Sequence, residues 1–148
     1  MFYNLEEVYN TTEAKMNFMK GLIAVIKADQ IIEESEEEFF YNFSKEFGLS
    51  ERDINKLADL LASNDLDLSV DLQDYNQKII FIKEALQLAY VDGIYHHHEN
   101  EVIYALAEKL DLEKKVVREL EEWTSDGIKW YRKGLELFNL EDDFIKNL

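Results

Sequence analysis

The chain has no cysteine, no proline and only five glycines among its 148 residues. Without cysteine there is no disulfide framework, no thiolate metal site and no thiol nucleophile. Without proline, and with glycine scarce, the frequent chain reversals of a β-sandwich have little to build them. A composition rich in Leu, Glu, Lys and Ala suits long helices instead. Basic residues are also few, 16 against 32 acidic ones, for a formal charge of −16. Such a surface repels phosphate backbones and excludes unaided nucleic-acid binding. It favours cations and basic partners, although acidity by itself also serves solubility. No uncharged run approaches the ~20 residues needed to span a bilayer. The opening MFYNLEEVYN lacks the basic, apolar and small-residue zones of a signal peptide. A soluble, cytoplasmic protein is expected.

What is present is apolar and aromatic: 47% of residues are hydrophobic and 13% aromatic. Disorder is therefore not expected, and the length fits one domain covering 1–148. An internal repeat organises it. ADQIIEESEEEFFYNFSKEFGLSERDINKL, from Ala28, falls without a gap on VDGIYHHHENEVIYALAEKLDLEKKVVREL, from Val91. Asp29 meets Asp92, Ile31 meets Ile94, Glu36 meets Glu99 and Tyr41 meets Tyr104. Upstream, Phe18 and Lys20 fall on Phe81 and Lys83, so the repeat pairs 18–57 with 81–120.

The apolar spacing repeats too. Phe18, Met19, Leu22, Val25 and Ile26 form one helical stripe, matched by Phe81, Ile82, Ala85, Leu88 and Ala89. Phe39, Phe40, Phe43 and Phe47 correspond to Val102, Ile103, Leu106 and Leu110. Each copy reads as three helices joined by short turns, and the two copies can bury their apolar faces against each other. The expected fold is an all-α, compact, single-domain bundle of seven to eight helices built from two three-helix units. Thr11 or Thr12 caps the first long helix, and FYNLEEVY is a short leading helix. Ser35 with Glu38 makes a capping box, Gly48 stops a helix and Ser50 starts the next. A further helix, capped by Thr124 or Ser125, opens a C-terminal extension over 124–148, with Ile128, Tyr131, Leu135 and Phe138 on its apolar side.

The repeated acids are the candidate site: Asp29 and Glu36 in the first copy, Asp92 and Glu99 in the second. In each pair the Glu follows the Asp by seven residues, across a turn and into the first turn of the next helix. Carboxylate and carbonyl oxygens there suit a hard divalent cation, Ca²⁺ or Mg²⁺ first. Gly93 allows the sharp turn, and Gln30 replaces it in the first copy. Helix-start acids also have a plain structural role, since they favour the helix dipole. An EF-hand is excluded, because the places two and four residues before the Asp are Tyr90 and Leu88, or Lys27 and Val25. The run His96-His97-His98 aligns with Glu33, Glu34 and Ser35 and reads as a solvated turn. Neighbouring side chains there point about 100° apart and do not converge on one ion. One histidine joining Glu99 would move the preference toward zinc or nickel.

The second copy's Asp92-Gly93-Ile94-Tyr95-His96-His97-His98-Glu99 resembles the signature of the tellurite-resistance TerB-like family, a D-G-x-I-x-x-x-E-like repeat in a duplicated helical fold. The first copy, Asp29 to Glu36, keeps the Ile and lacks the Gly. The resemblance spans Met16 to Trp123. It implies a non-catalytic module with an acidic divalent-cation site at Asp29, Glu36, Asp92 and Glu99. It also implies stress-response assemblies as partners, sometimes peripherally at the inner face of a membrane. Two other functions fit the residues. One is an acidic protein-interaction adaptor without metal, docking through Trp123, Trp130 and Tyr131, aromatics otherwise expected in the core. The other is a metal-assisted hydrolase, the weakest, since the chain has no nucleophile elbow, phosphate loop or H-E-x-x-H.

Overall fold

In a computed structural model of the chain, residues 3–28, 32, 34–65, 67–90 and 97–140 are described, with the side chains of 97–99 outside that set. Among the described residues there are seven helices and no strand: α1 Leu5–Val8, α2 Thr12–Ile26, α3 Glu34–Glu46, α4 Glu51–Ala62, α5 Tyr75–Ala89, α6 His97–Lys109 and α7 Lys114–Leu137. The all-α expectation holds.

Caps set many of the boundaries. Asn4, Thr11, Ser50 and Asp74 each accept a backbone N–H of the helix they start, at 2.9, 3.0, 3.1 and 3.2 Å. Gly48 ends α3 with φ +63°; its N–H donates to Lys45 and that of Leu49 to Ser44. Asp111 ends α6 in the same way, with φ +60°, and the N–H groups of Asp111 and Leu112 donate to Glu108 and Ala107. Both are Schellman closures. Ser35 lies inside α3 rather than before it, because that helix already begins at Glu34. Thr124 and Ser125 likewise lie in the middle of α7, which runs unbroken from the third helix of the second copy into the extension. Neither residue starts a helix, since nothing between Lys114 and Leu137 interrupts the backbone ladder.

The helix ends recur at a fixed distance along the chain. Thr12 and Ile26 precede Tyr75 and Ala89 by 63 residues, Glu34 and Glu46 precede His97 and Lys109 by the same, and Glu51 precedes Lys114 likewise. The two left-handed residues, Gly48 and Asp111, obey the same spacing.

α2 and α5 form the centre. From Gly21 to Ile26 every α2 residue is buried, and α5 buries Phe81, Ile82, Ala85, Leu86, Leu88 and Ala89. A helix apolar on nearly all sides needs neighbours on all sides. α2 touches α3, α4, α5 and α6, while α5 touches α2, α6 and α7. Where the two central helices meet, the Phe18 ring packs 4.6 Å from Tyr9, 5.3 Å from Phe47 and 5.9 Å from Phe81, centroid to centroid. Edge and tilted arrangements at these separations add to simple area burial. This aromatic knot joins the N-terminal segment, α2, the end of α3 and α5.

Candidate functional site

Of the four acids expected to bind a cation, Asp29 and Asp92 lie outside the described residues, and so does the side chain of Glu99. Glu36 is buried, 3% exposed, and is the third residue of α3. The backbone of Glu99 occupies the third position of α6. At that position a Glu meets the exposed N–H end of its own helix, which favours a carboxylate there with or without an ion. Of the histidine run, His97 and His98 open α6 and His96 lies outside the described residues. Among the described residues, no three His, Asp or Glu side chains converge on one metal-sized point.

Beside the first corner is a cavity of about 500 Å³, lined by Lys27, Ala28, Ile32, Leu61, Ser63 and Asn64 among others. Lys27 dominates its chemistry. The ammonium donates to the Leu60 carbonyl at 2.9 Å, the Ser63 hydroxyl at 3.0 Å and the Asp65 carbonyl. A cation is thus built into this corner, satisfying the carbonyl end of α4.

The second corner differs in sign. Its cavity, about 360 Å³, is lined by Tyr90, Glu121, Glu122, Ser125, Asp126 and Lys129. Tyr90 follows Lys27 by 63 residues and caps the C-terminal end of α5 as Lys27 caps that of α2, while α7, at 24 residues, is twice the length of α4. Three carboxylates therefore face one ammonium. Glu121 is already engaged: it accepts from the Asn100 amide and from the Tyr104 hydroxyl, each at 2.8 Å. Burial, then the hydrogen bond and charge of Glu121, push the Tyr104 phenol up to about 12. Burial and the Glu121 charge also raise Tyr90, against a hydrogen bond with Ser125. Sequence reading missed Glu121, whose first-copy counterpart is Ala58; only its pairing across the fold with Asn100 and Tyr104 reveals it.

A second polar centre was also missed. Glu84, at 0% exposed on α5, accepts from the Tyr3 hydroxyl and, at 3.2 Å, from Lys83. Its Oε2 is buried with no hydrogen-bond partner among the described residues. The Lys83 ammonium also lies 5.5 Å from the centre of the Tyr3 ring. Burial and the Glu84 charge hold the Tyr3 and Tyr9 hydroxyls well above the usual tyrosine range, and they raise the Glu46 carboxyl. Tyr9 donates to the Gln77 carbonyl at 2.6 Å, and the Gln77 amide donates to Val8 at 2.9 Å. These contacts clip the N-terminal segment onto α5. Glu84 thus anchors the N-terminal segment to α5 through Tyr3.

Compared with known proteins, the chain matches no family model, no curated protein and no solved structure. Among the described residues no helix is long and apolar enough to cross a membrane.

Proposed function

We propose that the chain is a non-catalytic helical module of the TerB-like, tellurite-resistance and stress-response kind, holding a divalent cation through Asp29, Glu36, Asp92 and Glu99. The observation that carries this is the 63-residue recurrence of helix ends, which gives Glu36 and Glu99 the same third position in α3 and α6. Each then follows its Asp by seven residues at an equivalent corner. Duplication of a three-helix unit accounts for that recurrence, for the paired left-handed turns and for the exchange of Lys27 for Tyr90. Carboxylate oxygens favour Ca²⁺ or Mg²⁺ over Zn²⁺. The second corner is the stronger half, because Glu121, Glu122 and Asp126 set a negative field there while Lys27 sets a positive one at the first. A cytoplasmic location and a protein partner belong to the same reading.

Titration calorimetry with Ca²⁺, Mg²⁺ and Zn²⁺ tests it. The native protein should release or absorb heat with at least one ion, and Asp92→Asn with Glu99→Gln should abolish most of it. Silence for all three ions removes the cation site and leaves the second reading, an acidic adaptor without metal. That reading is favoured by one observation: Trp130, expected in the core, is 80% exposed, and Trp123 is 48% exposed, while Tyr131 is half-buried against the core.

A further inference from the structure

α7 carries two faces. One, with Val117, Thr124 and Ile128 buried and Tyr131 packed behind them, rests on the core. The other is made of Trp123, Gly127, Trp130, Gly134 and Leu137, spaced four, three, four and three residues apart. That alternation is the seam of a two-helix pairing. Trp130 is 80% and Leu137 70% exposed. A Cβ built on Gly127 or Gly134 would meet no atom of the described residues within 4 Å. Glycine is a poor helix former, and nothing within the described fold requires it at either place. Two of the five glycines nevertheless sit here, one heptad apart.

We infer that this face is a self-complementary docking surface, on which α7 pairs antiparallel with α7 of a second copy of the chain. Large and small residues alternate, so an antiparallel partner sets each Trp130 over the other copy's Gly127 and each Trp123 over its Gly134. A parallel pairing would set Trp on Trp and Gly on Gly, leaving collisions and voids in turn. Charge agrees. Asp126 and Lys133 flank the seam on one side, seven residues apart, and the antiparallel register brings Asp126 of each copy beside Lys133 of the other. α7 holds six basic and five acidic residues. Two chains of charge −16 repel over most of their surface, and this helix is where they can approach. The seam is about 21 Å long at the helical rise. Its helix is already held by the core, so pairing need not fold it. A basic partner, which the net charge alone would suggest, does not explain glycines opposite indoles.

Sedimentation velocity of the full chain across micromolar to submillimolar concentrations tests the inference, with indole emission followed in parallel. Both tryptophans of the chain lie on the seam, so the emission reports on its burial. Expected are a dimer that grows with concentration and an emission that shifts to the blue with it. Gly127→Gln with Gly134→Gln should abolish the dimer and leave the helical fold intact, since each new side chain enters open space. Asp126→Lys should weaken the dimer several-fold, and adding Lys133→Asp should restore it. A chain that stays monomeric throughout overturns the inference, as does a dimer that survives both glycine substitutions. Deletion of 141–148 supplies the remaining arm. A monomer whose emission moves to the red when those residues are removed means that the tail covers the seam instead, which also overturns it.

Discussion

A Cβ placed on Gly21 would lie 2.4 Å from Cε1 and Cζ of the Phe81 ring, so the two central helices cross where one has no side chain. Phe81 is fully buried and also packs against Phe18, and Val70 lies 3.2 Å from the same point. The ring has nowhere to swing. Gly21→Ala should therefore destabilise the fold by about 1–3 kcal/mol, the usual cost of overpacking. This outweighs the ~1 kcal/mol that alanine gains over glycine in a helix. Adding Phe81→Leu should recover part of the loss. Chemical denaturation of the three variants measures both effects. At Gly127 and Gly134 the propensity gain acts alone, so alanine there should stabilise the isolated chain by about 0.5–1 kcal/mol each.

Tyr3 matters through Glu84. Removing its hydroxyl leaves a fully buried carboxylate with Lys83 as its remaining hydrogen-bond donor among the described residues. Tyr3→Phe is expected to cost about 1–3 kcal/mol, as for any buried acceptor losing its donor. Glu84→Met in the same chain should return much of that, since the group left unsatisfied is then gone. Urea midpoints for the two singles and the double separate this coupling from simple loss of area. A double variant as unstable as the sum of the singles would refute it.

Much of the fold was legible because apolar spacing and caps are local signals. Gly48 and Ser50 were readable as a stop and a start, and the stripes through Phe18 and Phe81 marked α2 and α5 as helices with a core-facing side. Asp111 was not readable as a stop. It takes the left-handed turn without being glycine, and only alignment with Gly48 hints at it. Ser35 and Thr124 carry good capping side chains, yet neighbouring residues continue the helix around them, because packing overrides local preference. Trp130 was misplaced for a related reason: on one strand of sequence, a second apolar stripe looks the same as core. Glu84 and Glu121 gave no signal at all, since their partners lie 81 and 21 residues away for Tyr3 and Asn100.

Tyr104 offers a pH readout of the second corner. Its phenol is held at about 12 by burial and by Glu121, so the neutral form is favoured in the folded chain. The resulting contribution to stability is complete below the tyrosine value of about 10 and is lost as pH rises through 12. Glu121→Gln removes the charge and should lower the Tyr104 titration toward that of a free phenol. Ultraviolet difference spectra of the variant against the native chain, with Tyr104→Phe identifying the signal, follow it directly. An unchanged titration would mean that burial alone raises the group.

Lys27 should show two effects of opposite sign. Its three donors are used by the Leu60 carbonyl, the Ser63 hydroxyl and the Asp65 carbonyl, so the ammonium closes the end of α4. Lys27→Met keeps the apolar stem and removes the charge. The carbonyls lose a charged donor, and stability should fall by about 1.5–3 kcal/mol. The same change takes a positive charge from beside the corner that carries Glu36. If that corner holds a divalent ion, affinity there should rise as stability falls, because like charges no longer oppose each other. Calorimetry of Lys27→Met in the background of Asp92→Asn and Glu99→Gln isolates the first corner. Tighter binding in a less stable protein is the expected result, whereas a loss of stability with no heat for any ion would restrict Lys27 to its part in the fold.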